Sequence, residues 1–149
     1  MHRWVRAIEV RLFLDANILF SAVYRDGSPA LLLFELASAG RSCLVTSRFA
    51  WDEAHRNISL KCPGRSPTLD TLRRQLEYAP EPGASSIADA AKQGLPDKDA
   101  PILAAAAGAQ VDLLVTGDRA HFGHLYRKSI GGLRVLTLRD AVASLFGNQ

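Results

Sequence analysis

Short apolar runs of strand length alternate along the chain with longer helix-like segments. Buried strands are predicted at Val10–Leu14, at Ser42–Thr46, and at residues 111–116 and 133–137. Strands of this kind, separated by helices, are typical of a parallel sheet that is covered on both faces. We therefore expect an α/β fold, a three-layer α/β/α sandwich around a mostly parallel sheet of four to five strands.

Helix boundaries are marked by capping residues. Pro29 suits the first turn of a helix that ends before Gly40, and Ser47 suits the N-cap of the next helix. Residues 59–68 are rich in Pro and Gly and predict a loop, and the apolar positions 69, 72 and 76 predict an amphipathic helix over 69–78. Further helices are expected at 87–93, 101–109 and 139–146.

Length and composition bound the class of protein. A chain of 149 residues predicts a single domain over 1–149, and no apolar run approaches the roughly 20 residues of a membrane span. The N-terminus has no apolar leader-like region, so we expect a cytoplasmic protein. Cys43 and Cys62 are expected as free thiols, and Trp4 and Trp51 as core or interface residues.

Four acidic residues lie at positions that a parallel sheet would bring to the same edge. Asp15 and Asp118 each follow a predicted buried strand, Asp99 begins an alanine-rich helix, and Glu53 lies in the second turn of the helix after Ser47. Groups at the carboxyl ends of parallel strands meet at one edge of the sheet, where ligands bind. The four carboxylates can therefore converge on one site.

Each acid also has an ordinary structural explanation. Asp99 or its neighbour Asp97 can cap a helix, Asp118 can belong to a turn, and Glu53 can be a solvated charge. Asp15 is harder to explain in this way, because a charge that ends a buried strand needs a partner. Clustered carboxylates repel one another, and Mg²⁺ or Mn²⁺ relieves that repulsion. The chain has a net charge of +3. If the four acids hold a cation, the remaining surface is basic, which suits a polyanionic substrate.

Three motifs carry a family resemblance. Leu14-Asp15-Ala16-Asn17-Ile18, Asp99-Ala100-Pro101-Ile102-Leu103-Ala104 and Thr116-Gly117-Asp118 resemble, in order and spacing, the conserved segments of PIN-domain nucleases, with Glu53 at the place of the family's helical glutamate. The resemblance covers about residues 10–146. It implies a single PIN-like domain, either a VapC-like ribonuclease toxin or a related PIN nuclease, that hydrolyses RNA with Mg²⁺ or Mn²⁺.

The resemblance also implies roles for the acids. Asp15 and Asp99 are expected as direct metal ligands, Glu53 as a ligand or a water-orienting base, and Asp118 as a second-ion or outer-shell ligand. Asp97 remains open as an auxiliary ligand or as the helix cap. All four main acids, Asp15, Glu53, Asp99 and Asp118, are therefore candidate catalytic residues.

Other residues are candidates for supporting roles. Asn17 and Thr116 are expected to orient the acids, and Arg48, Arg119 and His121 to hold RNA phosphates. The chain departs from the family where many relatives carry an acid shortly after the late aspartate, because His121 stands there instead. A zinc site built on His121 and a histidine three residues later would lack ligands for a tetrahedral ion.

Alternative functions stay open at this stage. The strand followed by Asp15 and Asn17 is similar to the nucleophile loop of haloacid-dehalogenase-like phosphatases, with Thr116 as a phosphate-binding hydroxyl, although that family needs an acid at position 17. A non-catalytic PIN-like module that binds RNA or protein is another possibility. PIN domains of this size are often toxins held by a cognate antitoxin protein, and the resemblance also suggests a homodimer.

Overall fold

The computed structural model describes residues 9–147. Trp4, with the rest of the first eight residues, lies outside this range. Six strands form one sheet in the order β3-β2-β1-β4-β6-β5, in which only β5 runs antiparallel to its neighbour β6. The strands are β1 (Val10–Leu14), β2 (Ser42–Thr46), β3 (Leu76–Tyr78), β4 (Leu113–Val115), β5 (Ser129–Ile130) and β6 (Leu133–Leu136). The predicted mostly parallel α/β fold is confirmed.

Helices connect the strands. They are α1 (Ala16–Tyr24), α2 (Leu31–Ser38), α3 (Arg48–Lys61), α4 (Ser66–Leu72), α5 (Ala84–Ala91), α6 (Ala100–Gly108), α7 (Arg119–Phe122) and α8 (Leu138–Gly147). Short 3₁₀ segments occupy Pro63–Arg65, Arg73–Gln75 and Gly123–Leu125. No helix between residues 9 and 147 is long and apolar enough to cross a membrane.

Strand β1 lies at the centre of the core. Leu12, Phe13 and Leu14 are fully buried although they point alternately to opposite faces, so both faces of the sheet are covered. β1 pairs with β2 on one side and with β4 on the other. This burial places the carboxyl end of β1, and the residue that follows it, deep in the molecule.

The sheet has six strands, where four to five were expected. The helix predicted over 69–78 is wrong in its second half, because α4 ends at Leu72 and the chain extends into β3. There Leu76 pairs with Leu44 and Tyr78 pairs with Thr46. The backbone hydrogen-bonding groups along β2 therefore favour a strand over the helix that the local pattern predicts. β5 is the second additional strand; residues 131 and 132, both glycines with positive φ, form the two-residue turn into β6.

Several local predictions are confirmed, and one loop is shorter than expected. The Ser47 hydroxyl accepts from the Ala50 N–H at 3.0 Å, as an N-cap does. Gly40 follows α2 with φ +81°, a conformation that favours glycine. The loop predicted over 59–68 is largely helical, because α3 continues to Lys61 and the prolines of this segment occupy the first turns of new helices. Cys43 and Cys62 are free thiols.

Candidate functional site

The carboxyl ends of the neighbouring strands β1 and β4 form the floor of the site. Leu14 pairs with Val115, so Asp15 and Thr116 leave the sheet side by side. The Asp15 N–H donates to the carbonyl of Val115 at 3.1 Å, and its side chain accepts from the Ala16 N–H at 2.7 Å. Asp15 is 6% exposed and caps α1. A carboxylate is thus fixed where a helix N-terminus and two strand ends meet.

Thr116 and Asn17 hold this floor together. The Thr116 hydroxyl donates to Asp15 Oδ2 at 2.8 Å and accepts from the Asp118 N–H at 3.2 Å. Asn17 Oδ1 accepts from the Gly117 N–H at 2.7 Å, and Asn17 Nδ2 lies 3.4 Å from Asp15 Oδ2 and from the Thr116 hydroxyl. A Cβ on Gly117 would lie 3.3 Å from Asn17 Oδ1, so this close approach favours glycine.

Tyr126 contacts the loop of residues 116–118 and was not anticipated from the sequence. Its hydroxyl donates to the carbonyl of Thr116 at 2.8 Å, and burial raises the pKa of that hydroxyl. It follows a 3₁₀ segment and belongs to no periodic pattern. Its contact with Thr116 depends on how residues 123–125 dock against the sheet.

Asp118 and Asp99 face each other across His121. Asp118 caps α7 by accepting from the His121 N–H at 3.1 Å. His121 Nδ1 lies 2.8 Å from Asp118 Oδ2 and 2.8 Å from Asp99 Oδ2. Asp99 is 8% exposed, whereas Asp97 lies on the exposed turn two residues before it. Asp99 makes no side-chain capping bond to the described backbone of α6, so the structure gives its carboxylate no capping function.

The electrostatics of the site disfavour its negative charge. Burial, with smaller contributions from Glu53 and Asp99, raises the pKa of Asp15 from 3.8 to about 6 against the opposing hydrogen bonds from Thr116 and Ala16. Burial also raises the pKa of Asp99, and Asp118 adds to this while His121 opposes it. The acids therefore lie close enough to repel one another.

The remaining candidates lie at different distances from this centre. Glu53 is half-buried on α3 and contributes to the raised pKa of Asp15. Arg119 is exposed at the start of α7, next to Asp118. The Arg48 guanidinium lies 5.6 Å from the centroid of the Tyr78 ring, so it is packed on an aromatic face. The functions of these residues stay predictions.

The donor set fits a divalent cation. Asp99 Oδ2 is buried, and its close side-chain neighbour is His121 Nδ1 at 2.8 Å, a nitrogen that also lies 2.8 Å from Asp118 Oδ2. Within the described residues, one ligand atom from each of Asp99, Asp118 and His121 lies within 4.8 Å of the other two; Asp15 and Glu53, expected in the same site, do not belong to this group. His121 Nδ1 carries at most one proton and cannot satisfy both carboxylates fully, whereas a bound cation would balance their charge.

Zinc is a poorer fit. His124 is not part of this group, because its Nε2 contacts the carbonyl of Gln93 at 2.7 Å. Two carboxylates and one imidazole, with Asp15 nearby, form a mainly oxygen donor set that suits Mg²⁺ or Mn²⁺.

Fold and site together define an α/β protein with buried acids at the carboxyl edge of a parallel sheet. The PIN-domain family profile matches residues 11–120, and the chain belongs to this family. PIN domains are nucleases that typically use divalent metals. No curated protein matches the chain at a significant level of sequence similarity.

Solved structures share the fold at low sequence identity. VapBC2 from Rickettsia felis, bound to a DNA fragment of its promoter, matches with a TM-score of 0.64 and 19% identity over 86% of this chain and 98% of that chain. PAE2754 from Pyrobaculum aerophilum matches with a TM-score of 0.68 and 16% identity over 93% and 90%. VapC20 from Mycobacterium tuberculosis, a toxin that cleaves the sarcin-ricin loop, gives 0.51 and 13% over 73% and 92%. At these identities the likeness establishes the fold.

Proposed function

We propose that this protein is a Mg²⁺- or Mn²⁺-dependent ribonuclease that hydrolyses phosphodiester bonds in RNA. The observation that carries the proposal is the pair of carboxylates Asp99 and Asp118, which share the single nitrogen His121 Nδ1 at 2.8 Å within a cluster of possible ligand atoms. Membership of a nuclease family and the raised pKa of Asp15 support the same conclusion.

Asp15 and Asp99 are the proposed direct ligands. Asp15 is oriented by the Thr116 hydroxyl and the Ala16 N–H, so its carboxylate cannot rotate away when the site is charged. Asp118 holds the second or outer position, fixed by the backbone of α7 and by His121. Asp97 is exposed and is the weaker candidate for a ligand.

The chemistry follows from this arrangement. A divalent cation here supplies positive charge that stabilises the transferring phosphoryl group and lowers the pKa of water. Glu53, half-buried on α3, is the proposed group that orients the attacking water or takes its proton. Arg119 is exposed beside Asp118 and is the proposed contact for a flanking phosphate, whereas Arg48 already packs on Tyr78.

The biological setting we propose is a cytoplasmic, single-domain toxin held by a cognate antitoxin protein, and active as a homodimer. It is supported by the fold shared with VapBC2 and VapC20. A phosphatase of the haloacid-dehalogenase type has no support, because Asn17 replaces its second acid and binds Gly117 instead. A non-catalytic module that binds RNA or protein would leave the buried acids without a purpose.

The test is cleavage of a labelled single-stranded RNA by the purified chain with Mg²⁺, with Mn²⁺ and with excess chelator. We expect cleavage with either ion, none in chelator, and none from Glu53→Gln. Asp52→Asn is the matched control, because Asp52 is the exposed neighbour of Glu53 on α3. Full activity in chelator would refute the metal dependence, and RNA binding without cleavage under any ion would favour the non-catalytic module.

A further inference from the structure

Two open cavities lie beside the loop that follows β4 and share a wall. The first has a volume of about 570 Å³ and reaches Gly117 and Tyr126 of the site loop. The second, about 320 Å³, extends along α1. Pro29 and Leu138 line both cavities, so they form one continuous depression. We call it the α1–α8 groove; its walls are Phe20, Tyr24, Pro29, Leu32, Tyr126, Leu138 and Val142.

We infer that the α1–α8 groove binds the bases of single-stranded RNA on one side of the scissile phosphate. This inference rests on the proposed nuclease function and adds the form of RNA and the surface that recognises it. One end of the groove is Gly117, which lies between Thr116 and Asp118 of the candidate centre. The groove therefore ends beside the loop that carries Thr116 and Asp118.

Aromatic rings line the groove at both ends. Phe20 and Tyr24 stack on each other with centroids 5.0 Å apart, and Tyr24 is still 51% exposed. Tyr126, at the other end, is held by its hydrogen bond to the carbonyl of Thr116. The exposed Tyr24 ring suits base stacking, which tolerates any base sequence, whereas Phe20 and Tyr126 are half-buried and Lys61 Nζ lies 5.5 Å from the Phe20 ring centroid.

The rim of the groove is positively charged. Arg119 and Arg139 line the larger cavity and Arg25 the smaller one, and no acidic residue lines either. None of these three arginines forms a salt bridge within the described part of the chain, unlike Arg65 and Arg127 nearby. Free guanidinium groups beside stacked rings match a phosphate backbone with unpaired bases. A duplex keeps its bases stacked inside and would not reach these rings.

The test measures binding of a fluorescent single-stranded oligoribonucleotide by anisotropy, with the full chain in excess chelator so that no cleavage occurs. We expect Tyr24→Ala, Arg139→Ala and the cavity-filling Val142→Trp each to weaken binding by roughly tenfold. Arg139→Ala should also reduce the salt dependence of binding by about one counterion. Unlabelled duplex RNA should compete poorly.

Matched controls distinguish a loss of binding in the groove from an effect of lost positive charge or of unfolding. Arg74→Ala removes an exposed arginine next to β3, and Leu60→Ala an exposed apolar residue on α3; both should bind as the native chain does. Tyr24→Phe should retain binding, and thermal melting confirms that each variant is folded. Because no cleavage is needed, weakened binding by the groove variants supports the groove even if the nuclease assay fails.

Two results would overturn the inference. If the native chain cleaves RNA with Mg²⁺ but the groove variants bind as it does, the nuclease function stands and the groove belongs to a protein partner. If the native chain does not bind the oligoribonucleotide in chelator, or binds duplex equally well, the groove does not recognise single strands.

Discussion

Replacing Asp15 by asparagine should stabilise the metal-free protein at neutral pH. The folded chain raises the pKa of Asp15 from 3.8 to about 6, mainly through burial. Keeping this carboxylate charged in the fold therefore costs about 3 kcal/mol at pH 7.5, since one pKa unit corresponds to about 1.4 kcal/mol. Asparagine removes that cost, although it accepts weaker hydrogen bonds from Thr116 and Ala16 than a carboxylate does. We expect a net gain of about 1–3 kcal/mol.

The pH dependence gives this prediction its sign. Between pH 3.8 and about 6 the folded Asp15 binds more protons than the unfolded one, so the native chain loses stability as pH rises through this window. The cost falls to about 1.5 kcal/mol at pH 5, so the advantage of Asp15→Asn should shrink by roughly half there. The same variant should have no detectable nuclease activity, because the ligand charge is gone.

The assay is urea denaturation in excess chelator at pH 7.5 and pH 5, with Asp52→Asn as the control for loss of one exposed negative charge. A gain of about 1–3 kcal/mol at pH 7.5 would raise the melting temperature by several degrees for a domain of this size. A variant that is less stable than the native chain at both pH values would refute the reasoning. Asp15 would then be a structural residue stabilised as the anion.

The remaining predictions concern three other residues of the candidate site region, Asp97, Asp99 and Thr116. Asp99→Asn should lower the cleavage rate by several orders of magnitude and raise the metal concentration required, whereas Asp97→Asn should lower activity only mildly, because Asp97 is exposed. Steady-state rates across a Mg²⁺ titration test both, and the reverse ranking would make Asp97 the central ligand. Thr116→Val should destabilise the chain by about 1–3 kcal/mol, because it removes the donor to Asp15 Oδ2 and the acceptor for the Asp118 N–H. Urea denaturation measures this, and a neutral result would mean that water replaces the hydroxyl.

The central part of the fold was accessible from the sequence because it depends on burial. β1 and β4 carry apolar runs that can only be satisfied inside a covered sheet, and parallel pairing then forces their ends together. The proximity of Asp15 and Thr116 follows from this register without any detailed contact. Family motifs added the order of the acids, and the structure places Asp99 beside Asp118.

Other features depend on contacts between distant segments, which no local pattern encodes. β3 is too short to be recognised by alternation and forms because β2 offers its edge. Tyr126 reaches the carbonyl of Thr116 only after a 3₁₀ segment docks the chain beside the site loop. His121 is three residues after a capping Asp118, which is a local signal, but its approach to Asp99 is not.

Asp15 and Asp99 have different hydrogen-bond partners, and this difference indicates which of the two acids a bound cation would stabilise more. Asp15 receives a hydrogen bond on each carboxylate oxygen, from Ala16 and from Thr116, so it is oriented before any ligand arrives. Asp99 is almost as buried, yet its Oδ2 faces a nitrogen, His121 Nδ1, that it shares with Asp118. A cation held by both acids would displace little at Asp15 and would give Asp99 a partner that it does not share with Asp118. Metal affinity should therefore be set mainly by Asp99, and the geometry of the bound ion mainly by Asp15.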